Sequence, residues 1–149
     1  MAPEELTTQN PPNFFRAVLI AGIIILLWVI GYFVQMRQEG TFGTQFQGLI
    51  SIIALLATII SPLAYGWYFR DSKGAILIGA LPFLLVVGIL RIVSSSDLTD
   101  LVYAVVYFLS LSLVGGLAGW CAAKKSTGYL VIALLLAGIW AGIFLGGIH

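Results

Sequence analysis

Five apolar stretches of 20 or more residues follow one another along the chain, at about 14–36, 47–69, 74–93, 100–122 and 128–148. A helix rises 1.5 Å per residue, so about 20 residues cross a hydrocarbon core about 30 Å thick. Lipid offers no hydrogen-bond partners, so a spanning segment must satisfy its backbone internally. Unbroken runs of this length do so as helices. The last stretch, YLVIALLLAGIWAGIFLGGI, carries no charge at all. The expected fold is therefore all-α: a polar tail over residues 1–13, then one five-helix transmembrane domain over 14–149, with short loops.

Composition agrees. Charged residues make up 9% of the chain and mean hydropathy is +1.08, whereas soluble domains carry about 25% charge. The tails and loops are too short for a separate catalytic or binding domain. A net charge of +1 without a basic run points to no nucleic-acid partner. The lone Cys121 has no internal disulfide partner and reads as a small buried hydrophobe. Glu4 and Glu5 stand where a secretion signal would be cationic, so the first helix is expected to be retained.

Small residues recur with helical spacing. Gly138, Gly142 and Gly146 form one ridge of the last helix, with Ala133, Ala137 and Ala141 beside it; Trp140 and Phe144 lie roughly opposite the glycines. In the fourth helix Ser112, Gly115, Gly116 and Gly119 form a second small face. Lipid tails are as apolar as leucine, so helices associate in a bilayer through close backbone approach over such faces. The expected arrangement is a helix 4–helix 5 hairpin zipped by glycine on both partners. The same faces would equally serve contact with another protein. The third helix, poor in polar side chains, is expected to face lipid or a partner.

Hydroxyls are patterned too. Ser51, Ala54, Thr58, Ser61, Tyr65 and Tyr68 share one face of the second helix, expected to point into the bundle, while Pro62 should kink it. Tyr103, Tyr107 and Ser110 make a stripe on the fourth helix. Ser51, Thr58, Tyr65, Tyr103, Tyr107 and Ser110 are thus candidates to contact a lipid, quinone or carotenoid, against the plainer reading of hydrogen bonds between helices. Asn13, Asp71 or Ser72, Asp97, and Ser126 or Thr127 are candidate helix caps. The segment 35–47 is expected to be a turn or surface-lying loop.

The cations alternate by side: Arg16, Arg70, Lys73, Lys124 and Lys125 on one, Arg37 and Arg91 on the other. The positive-inside rule then puts the N-terminus in the cytoplasm and His149 outside, in a cell (inner or plasma) membrane. No span holds an Asp, Glu, Lys, Arg or His away from its ends, which argues against a proton or ion relay. The single histidine excludes bis-histidine haem on this chain alone, and no residue cluster has metal-ligand spacing. No enzymatic activity and no covalently or metal-held cofactor is expected. The sequence points first to a non-catalytic accessory subunit of a larger integral membrane complex, respiratory or photosynthetic, whose partners are other membrane subunits and lipids. The alternatives are a small homo-oligomeric channel or permease for a neutral solute, and a quinone- or lipid-binding component of a membrane enzyme.

Overall fold

The computed structural model describes residues 14–37, 41–93 and 98–146, with side-chain surroundings for 14–31, 49–50, 52–85 and 102–146. The expected tail, the Asn13 and Asp97 caps and the last three residues lie outside the described residues. Five helices follow in order: α1 (Phe14–Arg37), α2 (Thr41–Phe69), α3 (Ser72–Val93), α4 (Leu98–Ala123) and α5 (Thr127–Gly146). No strand occurs among the described residues. Four of the helices contain a stretch long and apolar enough to cross a membrane: Phe14–Gly31, Ile52–Phe69, Val102–Ala123 and Thr127–Gly146. The described apolar part of α3, Ser72–Leu85, is shorter. The outer surface is apolar as well. Leu19, Ile23 and Leu26 on α1 and Leu134, Leu135 and Ile139 on α5 are each about half or more exposed. A soluble protein does not leave contiguous faces of this kind in water. This is a multi-pass membrane protein.

One boundary differs clearly from expectation and one agrees with it. Helix α2 begins at Thr41, inside the segment expected to be a loop. The sequence TFGTQF contains no proline, so nothing stops the helix from running on for about two turns. Its 29 residues reach about 43 Å, which outruns the hydrocarbon core and leaves room for tilt. Helix α3 starts where an Asp71 cap predicts. The Gly74 N–H donates to Asp71 Oδ1 at 3.0 Å, satisfying one of the amides that a helix start leaves unpaired.

The larger correction concerns the place of α3. Instead of facing outwards it sits centrally, packed against α1, α2 and most extensively α4. Gly74, Ala75, Ile78, Gly79, Pro82 and Phe83 are all buried. Inside a bilayer the inner position goes to the helix that allows closest approach rather than to the more polar one. Ala75 and Gly79, one turn apart, supply that face. Helix α1 presents Ala17, Ala21 and Ile24 to the bundle, all at most 1% exposed, with Ala17 and Ile24 in a cluster with Tyr65, Ala75 and Ile78. Helix α5 is peripheral, packed chiefly on α4.

Both turns at the end where α1 begins hold a non-glycine residue in the left-handed region. Arg70, just after α2, and Lys125, just after α4, have φ of 55° and 51°. The Arg70 N–H donates to Gly66 O at 3.0 Å and the Lys125 N–H to Ala122 O at 3.2 Å. This left-handed cap normally takes glycine; a side chain there costs about 1–2 kcal/mol.

Candidate functional site

The chain's small-residue surfaces are its most specific feature, and they divide into a closed interface and an open one. The closed interface joins α2, α3 and α4. A Cβ built on Gly115 would lie 2.7 Å from Gly79 O, and one on Gly119 would lie 2.7 Å from Ala75 O. A Cβ on Gly79 would fall on the Gly115 carbonyl. Gly66 of α2 closes the same junction, its Cβ position 2.6 Å from Gly119 O. Gly116 is buried beside Ile76 and Ala80. Ser112, 5% exposed, donates its hydroxyl across the interface to Ala80 O at 3.2 Å. The glycine face of α4 is therefore a packing face as expected, but its partner is α3, not α5. Gly66 and Gly79 were not singled out from the sequence; the Ala75–Gly79 step on α3 was the available signal.

The open interface is the glycine ridge of α5. Among the described residues, nothing beyond the helix's own backbone lies within 4 Å of a Cβ built on Gly138, Gly142 or Gly146. The expected hairpin zipped by glycine on both helices is thus corrected: α4 and α5 are neighbours, but α5 turns its other side inwards. Ala133 is fully buried, and Ala137 and Ala141 are half-buried. Trp140, 2% exposed, donates its indole N–H to Leu111 O at 3.0 Å. An indole N–H left unpaired in a low-dielectric interior costs more than an unfilled glycine groove, and the carbonyl it needs is on α4.

The hydroxylated residues do not converge on one pocket. Thr58 is buried, accepts the indole N–H of Trp28 at 3.1 Å and donates to Ala54 O at 2.6 Å. That hydroxyl is engaged one turn back, not on the carbonyl that Pro62 frees. Tyr65 is buried and donates to Asp71 Oδ2 at 3.2 Å. Tyr107 reaches α5, donating to Phe144 O at 3.0 Å, while Ser110 bonds within its own helix to Val106 O at 2.8 Å. Tyr103 and Tyr68 are exposed, at 72% and 77%. The side chain of Ser51 lies outside the described residues. The face of α2 therefore points inwards at Ala54, Thr58 and Tyr65, and each buried hydroxyl meets a protein partner. A cavity of about 10 Å³ adjoins Thr58, Pro62, Gly115, Ala137 and Trp140, room for about one water molecule.

The bonds of Trp28 to Thr58, Tyr107 to Phe144 O, Ser112 to Ala80 O and Trp140 to Leu111 O each join two helices. Replacing Thr58 by valine keeps the shape and removes the acceptor for Trp28. The expected loss is about 0.6 kcal/mol, the average for such contacts in bilayers. A Trp28→Phe/Thr58→Val double-mutant cycle in mixed detergent micelles measures it, and additive single losses would show that the pair is not coupled.

Aromatic rings continue the same work. Trp140 stacks on Phe144 with 5.4 Å between centroids and packs against Phe83 at 5.4 Å, and Phe144 in turn meets Trp28 at 5.4 Å. Among the described residues no group of His, Cys, Asp and Glu has metal-site geometry. No family model matches this chain, and neither a similar curated protein nor a similar solved structure was found.

Proposed function

We propose that this protein is a non-catalytic subunit of a larger integral membrane assembly, joined to a neighbouring transmembrane helix through the glycine ridge of α5. The observation that carries this reading is the open space over Gly138, Gly142 and Gly146. Elsewhere in the molecule comparable glycines bring helix backbones into contact. On α5 the same chemistry faces outwards, on a helix held to the bundle from one side only. Lipid can fill such a groove, but a second helix gains more from it, through close packing along three consecutive turns. The buried hydroxyls of Thr58, Tyr65 and Ser112, each engaged by a protein partner, support a packing role. The orientation that goes with this proposal places the cation-rich end in the cytoplasm.

The test is the composition of the complex extracted from native membranes in a mild detergent, read by native mass spectrometry. The wild-type chain should leave the membrane with other subunits bound. Gly142→Leu should release it as a free chain with unchanged helicity, because Gly142 is exposed and, among the described residues, its Cβ position has open space around it. An assembly of identical copies would favour the channel or permease reading instead. Unchanged partners in Gly142→Leu would remove the ridge from the interface.

A further inference from the structure

Five cations gather at one end of the bundle. Arg16 begins α1, Arg70 and Lys73 flank the α2–α3 turn, and Lys124 and Lys125 form the α4–α5 turn. The turns are adjacent, since the Cβ position of Gly66 lies 3.1 Å from the amide nitrogen of Ala123. Arg16 reaches the same place, its guanidinium 5.6 Å from the centre of the Phe69 ring. Among the described residues the one carboxylate there, Asp71, is engaged by the Gly74 amide and the Tyr65 hydroxyl. Among the described residues none of the five cations is ion-paired.

A second, independent observation comes from the backbone. Arg70 and Lys125 occupy the two left-handed caps, positions at which glycine is the unstrained choice. A chain with 17 glycines places none at either. Cations at helix C-termini interact favourably with the helix dipole, but a lysine or arginine one residue earlier would do so without the strain. What the cap position adds is direction: it carries the side chain past the helix end, beyond the last turn. Around it, Trp67, Tyr68 and Tyr129 are exposed, and Trp120 packs on Tyr129 at 6.0 Å while lying under the Lys124 ammonium at 4.7 Å. Exposed aromatics of this kind mark the level of lipid headgroups.

We propose that the two turns form a clamp for the phosphate of an anionic phospholipid headgroup, with Arg70 and Lys125 as its principal cations and Lys73 and Arg16 at its flanks. A lipid suits this site better than a soluble anion. The cations are spread along a rim bordered by exposed aromatic rings and apolar helix faces, where acyl chains already lie.

The test uses the full chain reconstituted in nanodiscs containing phosphatidylglycerol and phosphatidylcholine, with retained lipid counted by native mass spectrometry. Wild-type protein should retain phosphatidylglycerol preferentially. Arg70→Gly/Lys125→Gly should lower that preference about tenfold or more, as expected for removing two cations at a membrane surface. Glycine accepts both caps, so this variant should keep its helicity and melt no lower than wild type. Arg70→Gln/Lys125→Gln, which retains side chains at both positions, should lose the preference equally, and Arg70→Lys/Lys125→Arg should keep it. An unchanged preference in either neutral variant, or no preference in the wild type, overturns the proposal. So does displacement of the lipid by inorganic phosphate, which would make this a site for a soluble anion.

Discussion

Replacing Gly79 by alanine should loosen the junction of α2, α3 and α4, while Gly138→Ala, the same change on α5, should be tolerated. In both helices alanine has the better intrinsic propensity, by about 1 kcal/mol in aqueous hosts. At Gly138 nothing opposes that gain, since among the described residues no atom beyond the helix's own backbone lies within 4 Å of the new methyl. At Gly79 the methyl would fall on the carbonyl of Gly115. A carbonyl of a helix backbone cannot swing aside as a side-chain tip can. Relief requires the two helices to move apart, and the contacts of Gly115 with Gly79 and of Gly119 with Ala75 lie on the same seam. The hydrogen bond from Ser112 to Ala80 O, already 3.2 Å long, would stretch with them. Overpacking of this kind costs about 1–3 kcal/mol, so the net effect at Gly79 is a loss. Unfolding titrations in mixed detergent micelles would measure it. Equal stability of Gly79→Ala and Gly138→Ala would mean that α3 and α4 do not approach as closely as the structure has them. Gly79→Leu should prevent the bundle from forming.

The comparison between these two glycines also shows what a sequence of this kind reveals. Length and hydropathy locate the helices, because the bilayer imposes a span that can be counted. The turns are legible where capping chemistry is present, as at Asp71. Which faces meet is harder to read. In a soluble helix the buried face is the apolar one, but α5 is apolar all round, and periodicity offers two adjacent small ridges without ranking them. Its orientation is set by Trp140, whose N–H needs an acceptor, so the alanine side turns in and the glycine side out. That signal was legible: Trp140 lies opposite the glycines on the helical wheel. Helix α3 is the converse case. Its shortage of polar groups suggested an outer position, yet in lipid it is small residues that earn a central place. The left-handed caps at Arg70 and Lys125 gave no sign at all, because the residue that usually announces them is missing.

Trp140 should therefore be the anchor of α5, and two substitutions separate its contributions. Trp140→Phe keeps an aromatic ring between Phe83 and Phe144 and removes the bond to Leu111 O together with the smaller part of the indole's volume. Interhelical hydrogen bonds in bilayers are worth about 0.6 kcal/mol on average and at most about 1.7, so the loss should be modest. Trp140→Ala empties the space that the ring fills beside Leu111, which is fully buried. In aqueous cores such truncations cost about 3–5 kcal/mol. The low end of that range applies here, since part of the aqueous figure is transfer from water, and α5 exchanges protein for lipid. A loss in Trp140→Phe as large as in Trp140→Ala would assign the anchor to the hydrogen bond instead of the ring. The two sides of α5 then give different phenotypes. Trp140→Ala should destabilise the isolated subunit and, by freeing the helix, weaken its assembly. Gly142→Leu should weaken assembly alone, because among the described residues nothing lies within 4 Å of the Cβ positions along this ridge. If Gly142→Leu also destabilised the purified chain, the ridge would have an internal partner, and the case for an external one would fall with it.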